Sequence, residues 1–239
     1  MAGAAVGGVG LVAAGAAGLA GQTAAVAADG PDAAAGEAAP GHGPGPREAL
    51  RLLMEGNRRW ACGQPEHPHQ TVAWRHHVAS HQDPFATVVS CIDSRVPPEI
   101  VFDRGIGDLF AVRTGAQTLD SRVVLGSIEF GPNGYPSARL MFVLGHQNCG
   151  AVSAAIAAIQ TGERAPGHIQ AVVNALRPAY RAAIGQPGDL LDNMIRAQVK
   201  LTVGRLKNDP LLAELIGQEG LLIVGGRYDL TSGLVEIIA

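Results

Sequence analysis

Two short apolar runs, each ending in a tight polar turn, restrict the fold of this 239-residue chain more than any other feature. Val88-Val89-Ser90-Cys91 runs into Ile92-Asp93-Ser94-Arg95, and Val143-Leu144-Gly145 runs into His146-Gln147-Asn148-Cys149-Gly150. Such short, near-continuous apolar runs bounded by polar turns read as strands covered on both faces. Further strands are expected at 109–114 and 221–224, with an edge strand at 234–238. Between them apolar residues recur at helical steps. Leu50, Leu53, Asn57 and Trp60 do so in the first helix, from 47 to 60. A helix from 119 to 130 is expected to turn Val123, Val124, Ile128 and Phe130 inward. A second, mostly polar helix is expected at 70–82. Strands alternating with helices predict an α/β fold: an open, mostly parallel, four- to five-stranded sheet flanked by helices.

Met1 to Ala28 carries no charged residue and is dominated by Ala and Gly, with Ala25-Val26-Ala27 as a small-x-small cleavage site. Residues 1–28 are read as a signal peptide, which predicts a secreted or periplasmic protein; a plain Ala/Gly tail would leave it cytoplasmic. Ala and Gly add little transfer energy, so no permanent membrane span is expected. Residues 29–46 read as a flexible Pro/Gly/Ala-rich linker, and 47–239 as one catalytic domain. A net charge of −3 with 16% charged residues gives no basic footprint for nucleic acid. Three widely spaced Cys do not form a disulfide framework.

The two turns hold the chemistry. In an open α/β sheet, ligands gather beyond the carboxyl ends of the strands. Cys91 and His146 each sit at such an end, and Cys149 follows His146 by three residues at a helix start. Two thiols and one imidazole suit Zn2+, leaving a fourth corner for water or for Asp93. Arg95 can grip Asp93 with a bidentate fork. The two outcomes compete: held by Arg95, Asp93 leaves the corner to water; released, it becomes the alternative fourth ligand.

Cys91-Ile92-Asp93-Ser94-Arg95 together with His146-Gln147-Asn148-Cys149-Gly150 resembles the β-class carbonic anhydrases. So do Glu55 to Trp60, Gly107 to Arg113 and Gly126 to Phe130, and the likeness spans about 48–229. The resemblance implies reversible hydration of CO2 to bicarbonate and a proton, with one Zn2+ per chain on Cys91, His146 and Cys149. It implies zinc-bound hydroxide as nucleophile, oriented by the catalytic pair Asp93 and Arg95, with Ser94, Gly150 and Arg113 on the substrate side. It also implies a homodimer or a dimer of dimers. The known fall of water's pKa from 15.7 to about 7 belongs to a carbonic anhydrase with three imidazole ligands. Two thiolates donate more charge, so activity here is expected to rise toward alkaline pH.

Some members bind bicarbonate at a second site. Arg113 and Tyr228 match two residues of it, but Val88 stands where its Trp is expected. The family's Arg-x-Ala-Gly-Asn run is Arg113-Thr114-Gly115-Ala116-Gln117 here. Rival readings remain open: a hydrolase of CS2 or COS on the same scaffold, a non-catalytic zinc or bicarbonate sensor, or a Cys91–Cys149 disulfide. Cys62 reads as a free thiol. The cluster of His67, His69, His76, His77 and His81 reads as a solvated face able to ferry protons.

Overall fold

The structure is a computed structural model that describes residues 43–239. The signal reading of 1–28 and nearly all of the linker lie outside the described residues. Five strands form one sheet in the order β2-β1-β3-β4-β5: β1 (Ala86–Cys91), β2 (Leu109–Thr114), β3 (Leu140–His146), β4 (Leu222–Tyr228) and β5 (Val235–Ile237). All pairings are parallel except that of β4 with β5. β1 and β3 are buried along their whole length, as two-sided cover requires. β2, at the sheet's edge, is half-exposed.

From β1 the chain steps outward to β2 and then returns past β1 to β3, so strand order reverses between β1 and β3. At such a switch point the connections diverge and leave a crevice at the carboxyl ends. Cys91 ends β1 and His146 ends β3, so the crevice opens between them.

The helices are α1 (Pro46–Ala61), α2 (Val72–His77), α3 (Pro98–Val101), α4 (Arg122–Gly134), α5 (Gly150–Thr161), α6 (Ile169–Ala183), α7 (Leu190–Lys207) and α8 (Pro210–Glu219). α1 begins at Pro46, the last residue of the expected linker, because proline fits the first helical position. It buries Ala49, Leu53, Gly56 and Asn57 along one stripe. Asn57 Nδ2 donates to Val101 O (3.0 Å) and Gly233 O (2.8 Å), and its Oδ1 accepts from Val235 N (2.8 Å). One amide thus ties α1 to α3 and β5.

Two helices differ from expectation. α2 is shorter than 70–82, because it buries no residue that would hold a longer helix to the body. α4 starts only after Ser121, whose hydroxyl caps Val123 N, and it runs through Pro132 to Gly134. Its inner stripe is Ile128, Gly131 and Pro132; Val123 and Phe130, seven residues apart, share the outer flank. They are 78% and 60% exposed, not turned inward as the sequence pattern suggested. Phe130 packs instead against Phe110 and Tyr135 beside the edge strand.

Candidate metal centre

β1 brings in Cys91, β3 brings in His146, and the turn after β3 brings in Cys149 as the residue capping α5. All three side chains are buried, and their ligand atoms lie within 4.8 Å of one another. The sulfurs of Cys91 and Cys149 are 3.9 Å apart and unbridged. Two sulfurs at tetrahedral corners, each about 2.3 Å from a zinc ion, would lie about 3.8 Å apart.

The imidazole shows which of its atoms is the ligand. His146 Nδ1 lies 2.9 Å from Gln147 O, and a carbonyl can only accept, so Nδ1 carries the proton. That leaves Nε2 as a bare lone pair, fully buried and without any hydrogen-bond partner among the described residues. A buried, unpaired acceptor costs stability unless something fills it. A cation held with the two sulfurs would do so.

The thiols are electrically poised for the same ion. The Cys149 thiol and the Ala116 N–H lower Cys91 below the usual thiol range, against the opposing effect of burial. Donation of its proton to Cys91, together with burial, pushes Cys149 up. Two sulfurs therefore share one proton, and a metal dication that replaces it neutralises both thiolates. The backbone helps: Ala116 N donates to Cys91 Sγ at 3.4 Å from a turn in which Ala116 and Gln117 both have positive φ.

Asp93 stands at the open corner. Its Oδ2 is 3.9 Å from His146 Nε2. Arg95 grips it with Nε on Oδ1 at 2.9 Å and Nη2 on Oδ2 at 2.7 Å, and the Arg95 N–H adds 3.0 Å to Oδ1. That fork holds the carboxyl well below the usual carboxylate range. Arg95 Nη2 also reaches Asn148 O at 3.2 Å, linking the two turns across the crevice.

Residues 86–235 match the family model described as carbonic anhydrase. Over 189 residues the chain is 40% identical to "Carbonic anhydrase 2" of Mycobacterium tuberculosis, covering 79% of this chain and 90% of that protein. This chain belongs to the carbonic anhydrase family. It is also 37% identical over 195 residues to a carbonic anhydrase of Mycolicibacterium smegmatis, covering 80% and 93% of the two chains. The fold is that of the β class. A tetrameric β-carbonic anhydrase of Sordaria macrospora superposes with a TM-score of 0.63 at 21% identity, covering 80% of this chain and 96% of the other.

For this carbonic anhydrase the predicted cluster Cys91, Asp93, Arg95, His146 and Cys149 comes together as one site. Ser94 and Gly150 are exposed beside it. Arg113 reaches the site from β2, donating to the main-chain carbonyls of Cys91 and Asp93. Tyr228 is buried, and its hydroxyl accepts from Trp60 Nε1 at 2.9 Å. The histidines lie elsewhere. His69 stacks on Trp74, Trp74 lies against His77, and His77 meets His81 edge-on. His69 Nδ1 is 2.6 Å from Asp108, which precedes the amino end of β2, whereas the centre sits at the carboxyl ends. A six-residue strand, roughly 20 Å long, lies between that end of the sheet and the carboxyl ends. Cys62 is an exposed free thiol. Sequence reasoning missed Gln147 O, Asn148 O and Ala116 N, which act through the backbone and leave no side-chain signature.

Proposed function

We propose that the domain hydrates CO2 reversibly to bicarbonate and a proton at one zinc ion held by Cys91 Sγ, Cys149 Sγ and His146 Nε2. The observation that carries the assignment of these ligands is the bare, buried His146 Nε2 within 4.8 Å of two buried, unbridged sulfurs that lie 3.9 Å apart. When bound, zinc supplies Lewis acidity that makes water a nucleophile near neutral pH.

The remaining work falls to this chain's own side chains. Gln147 O fixes the His146 tautomer so that Nε2 faces inward. Asp93, kept ionised by Arg95, can only accept: its carboxylate takes a hydrogen bond from the attacking water and so aims the water's lone pair at carbon. Arg95 fixes that carboxylate and spans to Asn148 O. Ser94 and Gly150 are both exposed, and the Gly150 N–H, at the start of α5, suits a bicarbonate oxygen. Purified protein assayed for zinc and for CO2 hydration tests this. One zinc per chain with hydration is expected; zinc absent from folded, active protein would overturn the ligand assignment.

We further propose that the working form is a homodimer, or a dimer of dimers. What supports it is the free edge of β2 with exposed Phe130, Val123 and Ile92 around it. Light scattering that returned a monomer would reject this. Among the described residues no helix is long and apolar enough to cross a membrane. The uncharged stretch 1–28 supports export to the periplasm or medium, and amino-terminal sequencing of exported protein tests it.

A further inference from the structure

Arg113 does something that a substrate-binding arginine would not. Its Nε donates to Cys91 O at 2.8 Å and its Nη2 to Asp93 O at 2.6 Å. Ile92 N, between those carbonyls, donates to Thr114 O at 3.0 Å. Three bonds from the end of β2 therefore hold Cys91, the last paired residue of β1, and Ile92 and Asp93 beyond it. Apolar packing holds the ends of this loop, at Cys91 and Val96, but not its middle, where the Ile92 side chain is 65% exposed.

We infer that Arg113 is a positioning residue that keeps the open corner of the metal centre clear by anchoring the main chain of Asp93. This rests on the reading of Cys91, His146 and Cys149 as the zinc ligands. Two guanidiniums divide the task. Arg95 grips the Asp93 carboxylate but is itself half-exposed, with Asn148 O at 3.2 Å as its further partner. Arg113, half-buried and bonded to two carbonyls, fixes where the Asp93 main chain sits. Asp93 Oδ2 is already 3.9 Å from His146 Nε2. A small relaxation of residues 92–93 brings the carboxylate into the corner, where it competes with water or any small anion. Arg113 opposes that relaxation with a shorter bond to Asp93 O than the 3.2 Å one from the Val96 N–H; Arg95 restrains only the side chain.

The test uses the cobalt(II)-substituted protein with thiocyanate as the anion probe. Thiolate-to-cobalt charge transfer in the near ultraviolet reports both sulfurs, and the visible bands report the fourth position. In the wild type one equivalent of cobalt is bound and thiocyanate shifts the visible bands. In Arg113→Met cobalt stoichiometry and charge transfer are retained, but thiocyanate binds at least tenfold more weakly. The Arg113→Met/Asp93→Ala double variant regains the wild-type response, because the competing carboxylate is gone. Arg113→Lys, able to reach one carbonyl, shows a smaller loss and supplies the test if the Met variant misfolds. An unchanged thiocyanate affinity in the single variants, or a loss that persists in the double variant, overturns the inference. Wild-type protein that takes up no cobalt overturns the zinc reading instead.

Discussion

Trp60 and Tyr228, 168 residues apart, are joined by a hydrogen bond from the indole Nε1 to the phenol oxygen at 2.9 Å. Tyr228 is the register partner of His146, so this bond ties the first helix to the strand beside the proposed metal ligand. Tyr228→Phe leaves the indole without its acceptor and lowers stability by about 1 kcal/mol. Urea unfolding reads the shift as a lower midpoint, with zinc content unchanged.

Helix α1 approaches α3 so closely that a side chain at Gly56 has no room. A Cβ there would lie 1.8 Å from Phe102 O, a backbone atom that cannot swing aside. Gly56→Ala therefore costs about 3 kcal/mol, at the top of the usual range for overpacking a core. Thermal unfolding checks it; an unchanged midpoint would show that α1 is not seated against this carbonyl.

The strands and the ligand cluster were legible because their signals are local. β1 and β3 are apolar runs ending in chemically distinctive turns, and Cys91, Asp93, Arg95, His146 and Cys149 sit within those turns. The orientation of α4 was not legible, because an apolar tally does not distinguish an inner stripe from an outer flank. Val123 and Phe130 count as hydrophobic in either place. Arg113 was legible as either a brace of the cleft or a contact to bicarbonate, but its actual partners were not, because they are carbonyl oxygens, which every residue carries.

Asn148, between His146 and Cys149 in the second turn, has a φ of +53°. Asn tolerates that left-handed conformation and a β-branched residue does not. Asn148→Gly is expected to be nearly neutral, whereas Asn148→Val costs about 1–2 kcal/mol and loosens metal retention by displacing Cys149 from His146. Chelator competition on the folded variants measures the second effect.

Arg95 holds the Asp93 carboxyl well below its ordinary 3.8. A depressed carboxyl contributes stability above its unfolded pKa and loses it as pH falls through the folded value. The pair is therefore intact from about pH 5 upward and weakens only in stronger acid, so Asp93 titration does not shape the neutral-to-alkaline rate. Asp93→Ala should keep one zinc per chain while turnover falls roughly 10²-fold or more. Zinc analysis beside stopped-flow hydration separates these two outcomes.

Two thiolate ligands temper the ion's Lewis acidity, so hydration should speed up from about pH 6 toward pH 9. A rate that stays flat across that interval would contradict a ligand set of two sulfurs and one nitrogen.

The most direct measurement is loss of 18O from labelled CO2, followed by mass spectrometry on protein of known zinc content. Exchange should rise in proportion to bound zinc, saturate at one ion per chain, and vanish in Cys149→Ala along with the metal. Folded protein carrying its full zinc complement, yet exchanging oxygen no faster than buffer, would contradict the account.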